Sequence, residues 1–428
     1  TAYVKGTAAN TVKIFHGFSY PDADFVVDSW TIDPSATNQY CDTTLASTAT
    51  PSVTTSTAFT FIATMNCSTA VTSFTWMSPG FTMAASTSMV VNGALNVTPS
   101  GGSLTVNAGA TMNASGGAMT LSSPNALTIN GTSVTSNGAM TLSAVTTFTL
   151  GTGVIVTDNA RDTDITFNIP AGNAQTWTDV TVNGPYEGTF VIDDAIAITL
   201  AGTTAVRANV QWPNLTAFTL ASTSVINVNG KGCVGTDPYM GSAPNSSNGC
   251  QVAATGSGDG TTGAVGTGGG GHGGNGGGGT TDAGGATYDS STAPARFGAS
   301  GGPAGSSQYG VAGGGLVRIA TSGATTVEGV ISADGLPGNN YSTNQAMGGG
   351  AGGSIYVTAA ALNGAGSFSA KGGAGSVNTS NKGGGGGGGR ISLVHAGGTF
   401  TYSDVTLDAT GGTATSAAVA GAKGTAYV

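Results

Sequence analysis

Gly117-Ala-Met-Thr-Leu-Ser122 recurs as Gly138-Ala-Met-Thr-Leu-Ser143, so the two copies begin 21 residues apart. Ala126-Leu-Thr-Ile129 lies between them and has the same alternation of apolar residues and threonine. In a strand this alternation places the apolar side chains on one face and the hydroxyl on the other. A repeat of about 20 residues with several short strands is typical of one rung of a β-helix. Because one rung cannot bury its apolar face alone, the rungs must stack.

A longer repeat follows in the glycine-rich part of the chain. Each copy consists of a strand, a short turn, a second strand and a glycine-rich excursion. The first strands are Leu316-Val-Arg-Ile319, Ser354-Ile-Tyr-Val357 and Arg390-Ile-Ser-Leu-Val394, and the second strands carry Ala333, Ala370 and Ala409. Val225-Ile-Asn-Val-Asn-Gly230 is an earlier copy of the second strand, and its excursion runs from Lys231 to Gly315. The two repeats predict an all-β chain folded as a β-solenoid.

The composition favours the same fold class. Only 7% of the residues are charged, whereas a typical soluble domain has about 25%. Helices need Glu, Lys, Arg, Leu and Gln on their surfaces, and no stretch of that kind is present. Changes in composition and repeat pattern predict four segments. They are an N-terminal β domain or solenoid cap (1–100), a short-rung solenoid (101–230), a glycine-rich insertion (231–315), and glycine-rich solenoid repeats with a terminal strand (316–428).

The glycine-rich repeats also carry a resemblance to a known class of proteins. The stretches are Gly348 to Val357, Leu362 to Gly373, and Gly383 to Gly389 followed by Arg390-Ile-Ser-Leu393. They resemble repeats of very large secreted, adhesin-like bacterial surface proteins with pectin-lyase-like, right-handed β-helix character. The resemblance covers residues 225–412, and it implies a repeat type and a cell-surface setting rather than a specific activity.

The glycine runs have two interpretations. A run such as Gly268 to Gly279 could be a flexible linker, because glycine has the largest conformational entropy to lose. Alternatively, the runs are ordered, polyproline-II-like segments that pack side by side, as glycine allows at the crowded axis of collagen. A linker has no need to return in register after each pair of strands, and these runs do return. We therefore expect ordered excursions.

Four cysteines fall into two local pairs, Cys41 with Cys67 and Cys233 with Cys250. They lack the tight spacing of metal sites, so two disulfides are the simpler interpretation. Disulfides imply an oxidising compartment, and we expect a secreted, extracellular or cell-surface protein. The chain begins at Thr1 without a hydrophobic leader, as in a processed protein or a boundary chosen for expression.

The charge pattern limits the partners. The net charge is −9 and no basic stripe is present, so we expect no nucleic-acid partner. No apolar run reaches the roughly 20 residues that a bilayer requires, so we expect no membrane insertion. No sequence motif indicates a cofactor.

Catalytic candidates are weak, and we expect that the protein is not an enzyme. Because β-helices are used by pectate lyases and polygalacturonases, paired carboxylates must be considered. The candidate pairs are Asp193 with Asp194, and Asp162 with Asp164 beside Arg161. Gly271-His272-Gly273 matches a polygalacturonase motif superficially, but any histidine within a glycine run would do so. His16 and His395 have no partner placed by the sequence.

Two binding activities have even less support. Gly256-Ser-Gly-Asp-Gly260 and the acids Asp22, Asp24 and Asp28 offer oxygen atoms for calcium, but neither has a complete motif. A flat threonine array would bind ice, yet we expect Thr-x-Thr to lack a fixed register over many rungs.

The two termini share a motif. Thr1-Ala2-Tyr3-Val4 is found again as Thr425-Ala426-Tyr427-Val428. Tyrosine is uncommon in this chain, so we hypothesise that these residues form subunit contacts in which a terminal strand completes a sheet of the next copy. Alternatively, the chain is one unit of a longer tandem polypeptide. The sequence thus predicts a structural homopolymer, such as a filament, sheath or surface layer. The alternatives are an adhesin that binds surface glycans, and a polysaccharide lyase or hydrolase.

Overall fold

The computed structural model describes residues 72–235, 266–304, 309–342, 345–378, 380–398, 405–415 and 418–428, together with short strands between residues 3 and 67 and between 242 and 252. Every regular element in this part of the chain is a strand, which confirms the all-β prediction. The chain forms two compact units. The first contains Thr1–Gly184 and Phe190–Ala197, and the second contains Pro185–Thr189 and Ile198–Val428.

The strands of the first unit are short and evenly spaced. In chain order they are β1 (Tyr3–Gly6), β2 (Thr11–Ile14), β3 (Phe25–Val27), β4 (Ser29–Ile32), β5 (Thr37–Gln39), β6 (Ser52–Thr55), β7 (Phe59–Phe61), β8 (Thr64–Cys67), β9 (Ser73–Met77), β10 (Phe81–Met83), β11 (Ser88–Val91), β12 (Ala94–Val97), β13 (Leu104–Val106), β14 (Thr111–Ala114), β15 (Met119–Ser123), β16 (Ala126–Ile129), β17 (Ser133–Ser136), β18 (Met140–Ala144), β19 (Thr147–Leu150), β20 (Ile155–Asp158), β21 (Ile165–Asn168), β22 (Gln175–Thr178), β23 (Thr181–Asn183) and β24 (Thr189–Val191).

Three parallel sheets form the sides of this unit, and most rungs contribute one strand to each sheet. Sheet A contains β7, β10, β13, β16 and β19. Sheet B begins with β5 and β8 and continues through β11, β14, β17, β20 and β23. Sheet C contains β6, β9, β12, β15, β18 and β21. Solenoid stacking therefore already includes strands within the first hundred residues, whereas β1, β2 and β4 form a separate three-stranded sheet.

The repeat of Gly117 and Gly138 is confirmed as a pair of neighbouring rungs. Met119 lies in register with Met140, and Leu121 with Leu142. All four side chains are fully buried. The apolar positions of successive rungs thus form continuous inward columns, as the alternating pattern predicts.

Sheet A does not contradict the expectation about Thr-x-Thr, but it holds single threonines in a fixed register. Its outward positions form a ladder over five successive strands, made of Thr60, Thr82, Thr105, Thr128 and Thr149. The register is regular because rungs of 21 to 23 residues differ in length only at their turns, as the separations of contacting side chains show. Cross-strand threonine pairs stabilise a sheet, so the ladder has a structural explanation.

The core of the first unit is closed by aromatic side chains. Phe167 lies 4.7 Å from Phe190 and 5.3 Å from Phe148, measured between ring centroids. Trp177 packs against Phe167 and Phe190, and all four side chains are buried. Edge and offset contacts of this kind contribute beyond the area they bury.

The second unit has fewer strands and longer connections between them. In chain order its strands are β25 (Ala197–Ala201), β26 (Ala205–Arg207), β27 (Asn209–Leu215), β28 (Ala217–Leu220), β29 (Val225–Asn227), β30 (Ser242–Pro244), β31 (Cys250–Val252), β32 (Leu316–Thr321), β33 (Ala324–Val327), β34 (Val330–Ser332), β35 (Asn340–Ser342), β36 (Gln345–Ala346), β37 (Ser354–Asn363), β38 (Ser367–Ser369), β39 (Arg390–Gly397), β40 (Thr406–Asp408) and β41 (Thr425–Tyr427).

The longer repeat is confirmed by parallel pairing in this unit. Sheet D contains β27, β32, β37, β39 and β41, and sheet E contains β26, β29, β34, β38 and β40. Val225 lies in register with Val330, which confirms that residues 225–230 are an earlier copy of the second strand. A third side is formed by β28, β33 and the last residues of β37.

The described parts of the glycine-rich excursions are ordered, as predicted. A chain of backbone hydrogen bonds runs through five residues of three excursions: Gly386 N donates to Gly373 O, Gly373 N to Gly350 O, Gly350 N to Leu336 O, and Leu336 N to Ala312 O, at 2.8–3.0 Å. These segments have no strand or helix pairing pattern of their own, so they satisfy their amides through neighbours on different sides. This arrangement is the side-by-side packing that the polyproline-II interpretation requires.

No helix in the described residues is long and apolar enough to cross a lipid bilayer.

Candidate functional site: the last rung and its support

A column of glycines allows the backbones of successive rungs of sheet D to pack closely. Gly315, Gly353, Gly389 and Gly424 each precede a strand of this sheet. A Cβ on Gly353 would lie 1.9 Å from Gly315 O, and one on Gly424 would lie 1.9 Å from Gly389 O. No side chain fits at such distances, so the backbones approach as closely as they do only because each position is glycine.

The last rung leaves apolar positions uncovered. Leu407 lies in register with the fully buried Phe368, but Leu407 itself is only partly buried. Ala426 lies in register with the buried Ile391, yet Ala426 is exposed. Val428 follows at the end of the same strand and is 43% exposed. The core column therefore continues to the end of the described chain without a layer above it.

The backbone of the same rung is also open. Among the described residues, β40 pairs only with β38 and β41 only with β39. Thr425 N donates to Gly389 O, so the Thr425 amide faces the preceding rung. Because neighbouring residues of a strand direct their amides to opposite edges, the N–H and C=O groups of Ala426 face away from β39. An open edge of this kind is a template for another strand.

Arg390 holds β41 in place from below. Its guanidinium is buried and donates from Nη1 to Thr425 Oγ1 at 3.1 Å. The Nε and Nη2 groups donate to Tyr288 O at 3.0 and 2.7 Å. Burial lowers the pKa of Arg390, while the nearby charge of Asp289 acts in the opposite direction. The terminal strand is thus anchored to the loop that contains Tyr288 and Asp289.

Asp289 organises that loop. It has a φ of 72°, and its carboxylate accepts the backbone N–H groups of Ser290, Ala295 and Arg296 at 2.8–3.0 Å. Burial alone would raise the pKa of Asp289, but hydrogen bonds from His272 and these amides lower it to about 2. A carboxylate that accepts several backbone amides keeps its charge in this way. Asp289 is therefore a fixed negative charge beneath the last rung.

His272 lies in the same polar cluster and is fully buried. Its Nδ1 lies 2.8 Å from Gly352 O, and its Nε2 lies 3.4 Å from Asp289 Oδ2 and 3.5 Å from Ser354 Oγ. A catalytic triad places the acid and the nucleophile on opposite ring nitrogens. Here both face Nε2, and Ser354 Oγ donates to Arg296 O at 2.6 Å. The contacts are those of a structural cluster that joins the excursion of residues 231–315 to the segment that leads into β37.

The other sequence-predicted candidates lie apart from this cluster. Asp162 and Asp164 occupy an exposed turn of the first unit. Asp194 accepts Ile169 N at 2.7 Å, a role that fixes the chain path. His395 lies within β39, and its Nδ1 contacts Gly397 O. His16, Asp22, Asp24, Asp28 and the segment 256–260 lie outside the described residues.

The predicted Cys233–Cys250 disulfide is present. Cys233 is buried with Phe297 and Leu316, so the bond is attached to the core of the second unit. Cys41 lies outside the described residues, as does the Cys67 side chain, so that pairing stays a prediction. Within the part of the chain that the structure describes, no group of three or more His, Cys, Asp or Glu side chains lies together as a metal site would require.

Two features of the site could not be found in the sequence. Tyr288 and Asp289 sit in a segment whose only signal is a run of Asp, Ser and Thr typical of a turn. Arg390 is the first residue of its strand, but its partners Tyr288 and Thr425 are distant along the chain. By contrast, the terminal strand Thr425–Tyr427 was predicted from its sequence. Thr1 and Ala2 lie outside the described residues, and β1 contains Tyr3 and Val4.

Comparison with known proteins gives no match: no family model, no curated protein and no solved structure resembles the chain. The fold and the site must therefore be interpreted from their own physical chemistry.

Proposed function

We propose that this protein is a structural subunit that polymerises head to tail outside the cell, with the last rung of one copy covered by the next. The observation that carries this proposal is the exposed or partly exposed apolar layer at Leu407, Ala426 and Val428. Leu407 and Ala426 each continue an inward column whose member in the preceding rung is fully buried. Apolar surface and unpaired strand amides at one edge favour the addition of another strand.

The termini indicate which segment adds. Sheet D strands share an apolar, variable, apolar triplet at their second to fourth positions, as in Val317-Arg-Ile319, Ile355-Tyr-Val357 and Ile391-Ser-Leu393. Thr425-Ala-Tyr-Val428 and Thr1-Ala-Tyr-Val4 both contain it. Among the strands described between residues 3 and 67, β1 lies at the edge of the small sheet β1–β2–β4 and pairs only with β2. We infer that residues 1–4 of one copy continue sheet D of its neighbour.

The chemistry of the subunit supports the proposed extracellular setting. The Cys233–Cys250 disulfide persists in oxidising compartments. A backbone-packed glycine bundle with few charged residues also offers little flexible surface for proteolysis. Both features suit a fibre, sheath or surface layer.

Electron microscopy of purified protein tests the proposal, with two variants at one position. Ala426→Pro removes the N–H group that faces the open edge but leaves the Thr425 N to Gly389 O bond intact, and proline is tolerated on edge strands. Ala426→Val keeps the N–H group. We expect filaments from the parent protein and from Ala426→Val, and folded monomers from Ala426→Pro.

Two results would contradict the proposal. Filaments of Ala426→Pro that match those of the parent would show that this edge is not the contact. If the chain isolated from its source is longer than 428 residues and continues in tandem, the same edge is covered within one polypeptide, and no filament of separate copies should form.

A further inference from the structure

A groove in the second unit has no role in the proposed polymer contact. It has a volume of about 340 Å³, which is within the lower range of small-molecule sites. Its floor is apolar and includes Val311 and Met347, which are buried against each other with Ala304. Its walls come from segments that are distant in sequence and that meet where glycine-rich excursions end.

Two tyrosines stand at its rim. Tyr186 is 44% exposed and Tyr309 is 58% exposed, which is unusual for side chains of this size. The Lys231 ammonium lies 5.2 Å from the centroid of the Tyr186 ring and holds that ring by a cation–π contact. Lys231 itself does not line the groove. Tyr186 therefore presents a positioned aromatic surface, and Tyr309 presents a second one.

Two amide side chains complete the rim. Asn340 Nδ2 donates to Val377 O. The Oδ1 atom of the same amide is a hydrogen-bond acceptor. Asn339 is exposed, and within the described part of the chain its side-chain amide makes no hydrogen bond. The residues that line the groove include no charged side chain. The groove thus offers aromatic faces, apolar floor, and neutral donors and acceptors.

We propose that this groove binds a neutral saccharide. A pyranose ring has an apolar face of C–H groups that packs on an aromatic ring, and its hydroxyl groups pair with amides. An ionic ligand would lose its hydration without meeting an opposite charge. An acyl chain would leave the Asn339 and Asn340 amides facing hydrocarbon, at the cost of their hydrogen bonds to water. The lining also holds no carboxylate pair, so the site is one for binding rather than hydrolysis.

The probes for this proposal are the tetrasaccharides of chitin, cellulose, starch and mannan, with tetragalacturonate as the charged comparison. Binding is measured by saturation-transfer NMR and by titration calorimetry on the Ala426→Pro monomer and on assembled protein. We expect at least one neutral tetrasaccharide to bind, in either assembly state, and tetragalacturonate not to bind. Binding by the monomer separates this proposal from the polymer proposal, because either can fail alone.

Substitutions locate the site. Tyr309→Ala and Tyr186→Ala should each weaken binding about tenfold, by loss of ring contact. Asn339→Ala should weaken it about threefold. Tyr356→Ala is the matched control, because Tyr356 is a partly exposed tyrosine of the same unit that lies outside this groove and packs beside Arg318. The proposal is overturned if no neutral probe binds, if tetragalacturonate binds more tightly, or if the two rim tyrosine variants bind as well as Tyr356→Ala.

Discussion

Phe368 and Leu407 occupy the same inward position on consecutive rungs, yet Phe368 is fully buried and Leu407 is only partly buried. The difference arises because a rung of a solenoid is covered by its successor, and Leu407 belongs to the last rung of sheet E. Phe368 therefore contributes to the stability of the subunit, whereas Leu407 is available for its association with another copy.

Substitutions at these two positions should have opposite consequences. Phe368→Ala should lower the free energy of unfolding by about 3–5 kcal/mol, because it removes a buried aromatic side chain and leaves a cavity. Leu407→Asp should lower it by less than about 1 kcal/mol but abolish filaments, because a charge would be buried at the contact. Denaturant unfolding and electron microscopy measure the two effects. Val145→Asp, at a 66% exposed turn of the first unit, is the control and should form filaments. Normal filaments from Leu407→Asp would show that the contact lies elsewhere.

The glycine bundle makes a second prediction, from two adjacent residues. A Cβ on Gly277 would lie 1.7 Å from Val419 O, whereas a Cβ on Gly278 meets only Asp282 O at 3.5 Å. Gly277→Ala should therefore destabilise the protein by about 3 kcal/mol or more, because two backbone segments must separate. Gly278→Ala should change stability by less than about 1 kcal/mol. Thermal unfolding of the two variants measures this difference. Equal melting temperatures would show that the glycine segments at Gly277 and Val419 are not packed as described.

The two repeats made the fold predictable, and the reason is physical. A rung has a fixed length when its strands must stack in register, so the Gly117 and Gly138 copies, and Ala333 with Ala370, reveal the stacking directly in the sequence. Ordered glycine runs could also be inferred, because Gly350 and Gly386 return to the same place after each strand pair. The register of the threonine ladder was missed because turns of different length hide it from the spacing of Thr82, Thr105 and Thr128.

The polar cluster and the groove were not predictable in the same way. His272 and Asp289 belong to one long excursion and Arg390 begins β39, and nothing in their local sequence fixes their meeting. Tyr186 and Tyr309 likewise approach one groove only because the glycine segments between them fold back. Repeats encode what recurs at each rung. Contacts that occur once depend on the three-dimensional path of the connections.

The disulfide gives a third prediction. Cys233 and Cys250 are separated by 17 residues, and closing a loop of that size restricts the unfolded chain. The Cys233→Ala/Cys250→Ala double variant should therefore lose about 3 kcal/mol of stability. Reductant should lower the free energy of unfolding of the parent by about 3 kcal/mol more than that of the double variant, which keeps only the predicted Cys41–Cys67 bond. If reductant affects both proteins equally, its action does not pass through this bond.

Acid sensitivity provides the last prediction, and its direction follows from Asp289. The pKa of this carboxyl in the folded protein is about 2, below its ordinary value of 3.8, and its side chain is only 6% exposed. A lowered pKa means that the charged form stabilises the folded state above about pH 4 and that this contribution is lost as the pH falls towards 2. The loss should be about 2 kcal/mol.

Denaturant unfolding at a series of pH values from 6 to 2 measures this loss. Asp289→Asn should be less stable than the parent at pH 6, and the gap should narrow as the pH falls, because the parent then also carries a neutral group beside His272 and near Arg390. Asp162→Asn removes the same charge from an exposed turn and should follow the parent throughout. Arg390 donates to Tyr288 O, which lies beside Asp289, and to Thr425 Oγ1 in β41. Because Arg390 connects the two, weakening of the Asp289 loop by acid should also release β41. Filaments should therefore dissociate over the same pH range in which the stability falls. Filaments that persist at pH 2 while the parent loses the predicted stability would show that β41 does not depend on this loop.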